Sequence, residues 1–245
     1  MHHFFVTNEQ VEEDQIHING ADVNHICNVL RMQTGDELEI SDGTGREYVC
    51  QIREIAGEEV ILTILQRRTA VSELPSRVCL IQGLPKGDKM DLIVQKAVEL
   101  GVSEIIPVEM KRTVVKLDVK KAEKKKIRWN RIAEGAAKQS KRGIIPKVEE
   151  VLSFAKALER VKEMEVLLIP YECAEDMKQT RRVMEAIRPG DSIAIWIGPE
   201  GGFEEEEIRQ MKEHGGVPIT LGHRILRTET AGLAMLSILM YHLER

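Results

Sequence analysis

Residues 192–208 read SIAIWIGPEGGFEEEEI, a short apolar strand, a loop with three glycines and a helix whose first turn is acidic. Glycines directly after a strand let the backbone approach a ligand closely, and open α/β sheets bind ligands at this edge. The acids of residues 204–207 are explained by the dipole of the helix that they begin. One glycine would suffice for a turn, so Gly198-Pro199-Glu200-Gly201-Gly202 indicates a ligand-binding loop.

The chemistry of this loop disfavours a nucleotide phosphate. Its glycines do not follow the G-x-G-x-x-G spacing, and four acids at the start of the helix would repel a pyrophosphate. The loop therefore favours a ligand with a positive charge or with little charge.

The chain around this stretch alternates strands and helices from residue 77 onward. Apolar runs predict strands, and amphipathic or apolar helical spacing predicts helices around residues 89–101, in the basic segment and at 228–244. This alternation predicts an α/β architecture with a mostly parallel sheet. The predicted strands are 77–83, 103–110, 165–172, 191–198 and 217–222.

Residues 1–70 have a different pattern. Hydrophobicity alternates on both sides of the turn cluster at 41–45, which predicts a hairpin, and another strand follows Gly57. A short helix is predicted within 25–36, ending near Gly35. The pattern predicts a small, mostly β barrel or sandwich. With a linker at 71–76, we expect one domain at 1–72 and a second at 73–245.

The composition is that of a globular chain with a proper core. Its 245 residues are 42% hydrophobic and 31% charged, with a formal net charge of −5. No apolar run is long enough to span a membrane, and no signal peptide is visible at the start. The four cysteines lie far apart, which predicts reduced structural thiols in a cytoplasmic protein with no disulfide framework or zinc site. They are Cys27, Cys50, Cys79 and Cys173.

Positive charge is concentrated in residues 111–147, which carry fourteen lysines and arginines against three acids. Such a segment is either a solvated helix with surplus lysine or a surface for a polyanion such as RNA. The arginines and Trp129 among the lysines favour RNA, through phosphate contacts. Residues 1–70, with five basic and thirteen acidic residues, are not typical of an autonomous RNA binder.

A second polar loop follows the last predicted strand, at 221–231, LGHRILRTETA. Thr228 or Thr230 can cap the final helix. Arg227 and Glu229 are a candidate functional pair that faces residues 198–202, which we call the glycine loop. His223 is interpreted as a surface or packing residue.

GPEGGFEEEEI, LGHRILRTETA, GLPKGDKMDLIVQKAVELG and IAEGAAKQSKR together resemble the SPOUT-class methyltransferases. Within this class, the whole chain resembles the bacterial enzymes that methylate N3 of a uridine in small-subunit (16S) ribosomal RNA. The opening HHFFV departs from the family pattern, because His2 and His3 stand where an arginine is usual, which puts the RNA contact of that arginine in doubt.

The resemblance implies a PUA-like β barrel for RNA positioning, followed by an α/β domain with a deep C-terminal trefoil knot. It implies that the cofactor is S-adenosylmethionine, that the cofactor site is completed at a homodimer interface, and that no metal is bound. The implied cofactor-binding residues are Ile169, Tyr171, Glu172, Ile197, Gly198, Pro199, Glu200, Gly201, Gly202, Leu221, Gly222, Ile225, Leu226, Arg227, Thr230 and Ala231.

Uracil N3 carries a proton at neutral pH, so the site must remove that proton or stabilise the anion. Arg227 is the candidate for stabilising the anion, and Glu229 or Glu200 for accepting the proton. Glu229 could instead only orient Arg227. The implied RNA-binding residues are Arg112, Lys116, Lys124, Lys125, Arg128, Arg131, Gln139 and Arg142.

Two other functions remain open from the sequence. One is a related methyltransferase for another RNA such as tRNA, against which the PUA-like front and the RILRTETA loop argue. The other is a non-catalytic RNA-binding ribosome assembly factor. Arg227, Glu229 and the intact glycine loop argue against that one. The apolar helix 228–244 is either fully buried in the core or part of the dimer interface.

Overall fold

The structure is a computed structural model that describes residues 1–174 and 176–244. These residues divide into two compact units. The first comprises Met1–Glu73 and Ala137–Ile145, and the second comprises Leu74–Ala136 and the described residues from Pro146 onward. A segment far along the chain therefore belongs to the first unit.

The first unit is built on one five-stranded sheet. Its strands are β1 (His2–Phe5), β2 (Gln15–Asn19), β3 (Glu37–Ser41), β4 (Arg46–Ala56) and β5 (Glu59–Thr69). They lie in the order β1-β3-β4-β5-β2; β1 runs parallel to β3 and the other pairs are antiparallel, including the predicted β3–β4 hairpin. Because all five strands share one sheet, the sandwich alternative is wrong.

Helical structure in this unit begins and ends earlier than predicted. α1 (Ala21–Asn24) continues as a π-helical turn, His25–Val29, in which the Leu30 amide bonds the His25 carbonyl. The wider turn breaks the 3.6-residue spacing that the prediction used. As a result Ile26 is fully buried, whereas Val29 is 62% exposed.

Ion pairs hold residues 137–145 within the first unit. Lys138 pairs with Asp22 at 3.0 Å, and Lys141 pairs with Glu39 at 2.9 Å. Arg142, which is 2% exposed, pairs with Glu73 at 2.5 Å. The basic residues at the end of the basic segment thus neutralise acids of the first unit.

The second unit contains a parallel sheet. Its strands are β6 (Arg77–Gly83), β7 (Glu104–Glu109), β8 (Lys147–Val148), β9 (Leu152–Ser153), β10 (Val166–Pro170), β11 (Ser192–Ile197) and β12 (Val217–Ile219). They lie in the order β12-β10-β11-β6-β7-β8, with β9 also paired to β7, so the predicted parallel sheet is confirmed. The helices are α2 (Lys89–Glu99), α3 (Val119–Gln139), whose last three residues belong to the first unit, α4 (Phe154–Val161), α5 (Met177–Ala186), α6 (Glu205–Glu213) and α7 (Thr228–Leu243).

The core of the second unit explains these elements. Ile81, Ile106, Ile169 and Trp196 are fully buried between the sheet and its helices. The apolar stripe of α2 is buried, and the helix stops before Gly101, which has a φ of 89°. β10, β11 and β12 are parallel neighbours, so the loops that follow them meet at one edge of the sheet.

Two of the four cysteines are buried, one is partly buried and one is exposed. Burial raises the pKa of the Cys50 thiol to about 12, and Cys79 is also buried, so both are inert core residues. Cys173 is exposed, which corrects its prediction as a structural thiol. No helix in the part of the chain that the structure describes is long and apolar enough to cross a membrane.

Candidate functional site: a cavity at the carboxyl edge of the parallel sheet

A cavity of about 740 Å³ lies where the loops after β10, β11 and β12 meet. This volume is in the range of small-molecule sites. Ile169, Gly201 and Thr230 do not line it, although the sequence analysis named them. The predicted cofactor residues that do line it are Tyr171, Glu172, Ile197, Gly198, Pro199, Glu200, Gly202, Leu221, Gly222, Ile225, Leu226, Arg227 and Ala231.

The glycines of the 198–202 loop are required first by packing within the protein. A Cβ on Gly198 would lie 3.2 Å from the Gly202 carbonyl carbon, and one on Gly201 would lie 2.9 Å from Arg112 Cβ. Gly202 has a φ of 69°, which other residues rarely adopt. These glycines were predicted to serve a ligand, whereas the structure shows that the compact loop itself needs them. Gly222, with a φ of 109°, faces open space instead.

A buried neutral link joins the glycine loop to the start of α7. Thr228 Oγ1 donates to the Gly198 carbonyl at 2.6 Å and accepts from Gln82 Nε2 at 2.8 Å. The prediction that a threonine side chain caps α7 is wrong, because the N-cap is Arg227 and Thr228 bonds Gly198 instead. Gln82 is fully buried at the end of β6, so three chain segments meet here.

An ionic cluster at the mouth of the cavity joins the same segments. Lys89 Nζ lies 3.0 Å from Glu200 Oε1 and 3.3 Å from Glu229 Oε2, and the Lys86 amide donates to Glu200 Oε1 at 3.0 Å. Lys89 was not among the residues predicted from the sequence, and it lies more than a hundred residues from both carboxylates. The one feature of the sequence that points to Lys89 is its position. It begins α2, directly after the loop that follows β6, and this loop lies at the same edge of the sheet as the cavity.

The pKa values of this cluster are shifted in opposite directions. Burial acts to raise the pKa of the Glu200 carboxyl, but the hydrogen bonds from the Lys86 amide and the Lys89 ammonium outweigh it and lower the pKa. The hydrogen bond to Glu200 raises the pKa of Lys89. The charged forms of Glu200 and Lys89 are therefore favoured at neutral pH.

Arg227 and Glu229 do not form the expected pair. Arg227 is exposed and lines the cavity, whereas the Glu229 side chain is 16% exposed and does not. Within the described residues, no ion pair joins Arg227 to Glu229, whose partner is Lys89. The orienting role suggested for Glu229 toward Arg227 is therefore not supported.

Two family models match the chain. One, described as an RNA methyltransferase domain, matches residues 72–240, and an RNA methyltransferase PUA domain matches residues 18–65. A ribosomal RNA small subunit methyltransferase E from Bacillus subtilis (strain 168) is 40% identical over 252 residues, covering 100% of this chain and 98% of the relative. The chain belongs to the ribosomal RNA small subunit methyltransferase E family.

Solved structures of similar proteins agree with this family. A ribosomal RNA small subunit methyltransferase E from Neisseria gonorrhoeae, bound to S-adenosylmethionine, has a TM-score of 0.81 at 32% identity, covering 97% of this chain and 95% of that one. A Legionella pneumophila protein in complex with the same cofactor has a TM-score of 0.82 at 30% identity, covering 98% and 96%. The predictions of a methyltransferase, a PUA-like first domain and an α/β second domain are confirmed.

The acids that begin α6 serve the fold of this methyltransferase domain. Glu204 and Glu207 form a capping box, and Glu207 also accepts from the Lys111 amide at 2.9 Å. Arg112 pairs with Glu204 at 2.8 Å and donates to the Gly201 carbonyl at 3.0 Å. Arg112, named as an RNA contact, therefore braces the glycine loop.

Fewer residues of the basic segment, 111–147, are free to contact RNA than its composition indicates. Trp129 is 1% exposed, so it cannot stack on a base, and Arg128 pairs with Asp91 at 2.6 Å. Lys125 lies over the Trp129 ring and is half-buried, and the buried Arg142 is neutralised by Glu73. A groove of about 420 Å³ on α3 is lined by Lys124, Ile127, Arg128, Arg131 and Ile132, and Lys116 and Gln139 are exposed.

Metal ligation has no support in the described residues, where no three His, Cys, Asp or Glu side chains are grouped to hold an ion.

Proposed function

We propose that the chain transfers a methyl group from S-adenosylmethionine to N3 of a uridine in 16S ribosomal RNA, within the assembled small ribosomal subunit in the cytoplasm. The observation that carries the proposal is the cavity between the glycine loop and residues 220–231 in a chain 40% identical to a small-subunit methyltransferase. The cofactor is proposed from the two similar structures that hold it.

The lining of the cavity fits this cofactor. Ile197, Phe203 and Leu226 provide apolar surface for an adenine ring, and the open space at Gly222 leaves its backbone accessible. Glu172 contributes a carboxylate to the lining, which would favour the positive charge of a sulfonium. Glu200 also lines the cavity, but its carboxylate is paired with Lys89. A mixed apolar and polar lining of this kind suits a ligand with a large uncharged part and one positive centre.

S-adenosylmethionine supplies an activated methyl group, and the protein must align the acceptor nitrogen with it. The N3 proton has to leave before the nitrogen can react. Arg227, exposed at the cavity, is proposed to stabilise the negative charge that then spreads onto uracil O2 and O4. Glu200 has a lowered pKa and therefore holds a proton weakly. Glu229 does not line the cavity, and it is proposed to accept the proton through water.

The groove on α3 is proposed to bind RNA phosphates. Lys124 and Arg131 are exposed, and no ion pair of either is present among the described residues. Such contacts position the RNA, and the reacting base has to leave its stack to enter the cavity. Lys116 and Gln139 are proposed to extend this surface, and residues 1–72 to assist in positioning the RNA.

A homodimer is proposed from the surface of α7. Ile238 is 44% and Tyr241 is 78% exposed, and Leu92 on the contacting helix α2 is 45% exposed. Helix α7 is thus apolar beyond the face that the core covers. Light scattering at micromolar concentration should give twice the chain mass, and the mass of a single chain would contradict the proposal.

The trefoil knot is proposed from the order of the strands. β11 lies between β10 and β6, β12 lies outside β10, and α7 returns to contact β11. This strand order supports the trefoil knot that the resemblance implies for the C-terminal part of the chain. An experimental structure with a traceable main chain through this region tests it, and an unthreaded trace would refute it.

The activity is tested with labelled S-adenosylmethionine and small subunits or bare ribosomal RNA from a strain that lacks the modification. We expect label in the RNA, with small subunits preferred over bare RNA. Arg227→Ala should abolish turnover and leave RNA affinity nearly intact. Cofactor binding without label on either substrate would favour another RNA, and no cofactor binding would contradict the proposal.

A further inference from the structure

Two walls of the cavity are contributed by segments far apart in sequence. The glycine loop carries Glu200, and the first turn of α7 carries Glu229. Lys89, the first residue of α2, lies between them and contacts both carboxylates, at 3.0 and 3.3 Å. We refer to Lys89, Glu200 and Glu229 as the ionic clamp.

The ionic clamp lies in an intermediate environment, neither in the core nor fully in water. The exposed fractions of the three side chains are 31% for Lys89, 28% for Glu200 and 16% for Glu229. Two carboxylates held near one another repel in such surroundings unless a cation separates them. Without Lys89, the glycine loop and the start of α7 would therefore carry unbalanced like charges.

The buried link through Thr228 cannot replace the ionic clamp. Thr228 fixes Gly198, at the first position of the glycine loop, whereas the ionic clamp fixes Glu200, two residues further along. The Lys86 amide bonds the same Glu200 oxygen, so the loop that leads into α2 is part of the arrangement. The two links therefore hold the glycine loop to the start of α7 at two different positions.

We infer that Lys89 is a positioning residue for methyl transfer, acting through Glu200 and Glu229 to hold the two cavity walls at the separation that in-line transfer requires. This inference rests on the proposed function. Misalignment of reacting groups by about 1 Å can lower a rate by on the order of a hundredfold. Ion pairs with partial exposure contribute little to affinity by themselves. The expected signature is a larger effect on kcat than on cofactor binding.

Lys96 offers a matched control on the same helix. Among the described residues its one ion-pair partner is Glu99, three residues along the chain, at 2.8 Å, and it does not line the cavity. Lys89→Met and Lys96→Met thus remove the same charge and keep the same chain length. Lys89→Arg keeps the cation and tests rescue.

The experiment measures the S-adenosylmethionine dissociation constant by calorimetry, kcat and KM for RNA, and the pH profile of kcat. For Lys89→Met we expect kcat to fall at least about tenfold, with cofactor affinity weakened by no more than about fivefold. The acid limb of the pH profile should move to higher pH, because the loss of the Lys89 ammonium raises the pKa of the Glu200 carboxyl. Lys96→Met should resemble the wild type, and Lys89→Arg should recover most of the rate.

Three outcomes would overturn the inference. One is a Lys89→Met enzyme with unchanged kcat, and another is a higher KM for RNA at constant kcat, which would make Lys89 an RNA contact. The third is a lower kcat with no shift in the pH profile. If Lys89→Met does not fold, Glu200→Gln must lower kcat by a larger factor than it weakens cofactor binding for the inference to stand. An inactive wild type that binds no cofactor would instead refute the proposed function.

Discussion

Thr228→Val tests the buried link across the cavity. Valine has nearly the shape of threonine but no hydroxyl, so the substitution removes the 2.6 Å bond to the Gly198 carbonyl and the 2.8 Å bond from Gln82. Thr228 is 6% exposed and Gln82 is fully buried, so water cannot replace these bonds. Gln82 Nε2 retains its 2.9 Å bond to the Gly83 carbonyl, which leaves the Gly198 carbonyl as the main unsatisfied group.

The magnitude follows from these contacts. A net hydrogen bond contributes about 1 kcal/mol, and a buried polar group left without a partner costs about 1–3 kcal/mol. We expect Thr228→Val to lower the free energy of unfolding by about 2 kcal/mol, which corresponds to a decrease in Tm of about 4–8 °C for a chain of this size. If the whole cost of about 2 kcal/mol falls on the conformation that binds the cofactor, the affinity for S-adenosylmethionine falls by at most about thirtyfold.

The assay compares Thr228→Val with Thr228→Ser, which keeps the hydroxyl. Calorimetric melting and titration with S-adenosylmethionine report stability and affinity separately. We expect the serine variant to bind the cofactor like the wild type and the valine variant to bind it more weakly. If the valine variant retains both Tm and affinity, the hydroxyl does not connect the two cavity walls and the reasoning is wrong.

Three further predictions concern packing, pH and charge. Gly83→Ala places a Cβ 2.6 Å from a backbone nitrogen of the glycine loop and should cost about 1–3 kcal/mol with weaker cofactor binding. The control Gly135→Ala meets no atom within 4 Å and should stabilise α3 by about 0.5–1 kcal/mol in thermal melts. Burial lowers the pKa of His3 below its ordinary 6.5 despite nearby acids, so the unfolded chain binds the proton more readily and stability falls as pH drops below 6.5. In urea unfolding at several pH values below 6.5, the free energy of unfolding of His3→Gln should fall less steeply with decreasing pH than that of the wild type. Arg131→Ala should weaken RNA binding and reduce its salt slope by about one without affecting Tm. Arg142→Ala should instead destabilise the protein by about 3 kcal/mol, because it leaves a partly buried carboxylate unpaired.

Much of the fold could be predicted from local patterns. The apolar runs at residues 77–83 and 191–198 became β6 and β11, and their alternation with helices correctly predicted a parallel sheet. The edge of the sheet that holds the cavity followed from the glycine loop after β11. These features depend on periodicity and on residues close in sequence, which a single sequence records directly.

Contacts between distant residues could not be predicted in this way. Nothing near Lys89 in the sequence indicates Glu200 or Glu229, and the burial of Trp129 depends on the surface against which α3 packs. Arg112 and Arg142 belong to a segment whose composition is typical of an RNA-binding surface. In the structure, however, Arg112 forms an ion pair with Glu204 and Arg142 forms one with Glu73. Charge counted along a segment therefore overestimates the charge that is available to a partner.

The position of the transferred methyl group tests the central claim most directly. After reaction with labelled S-adenosylmethionine, small-subunit RNA is digested to nucleosides and the labelled product is identified by mass spectrometry. The account predicts 3-methyluridine as the labelled nucleoside, absent when Arg227→Ala replaces the wild type. Label on a carbon of the base, on the ribose or on another nucleoside would contradict the proposed removal of the N3 proton and the roles assigned to Arg227 and Glu229.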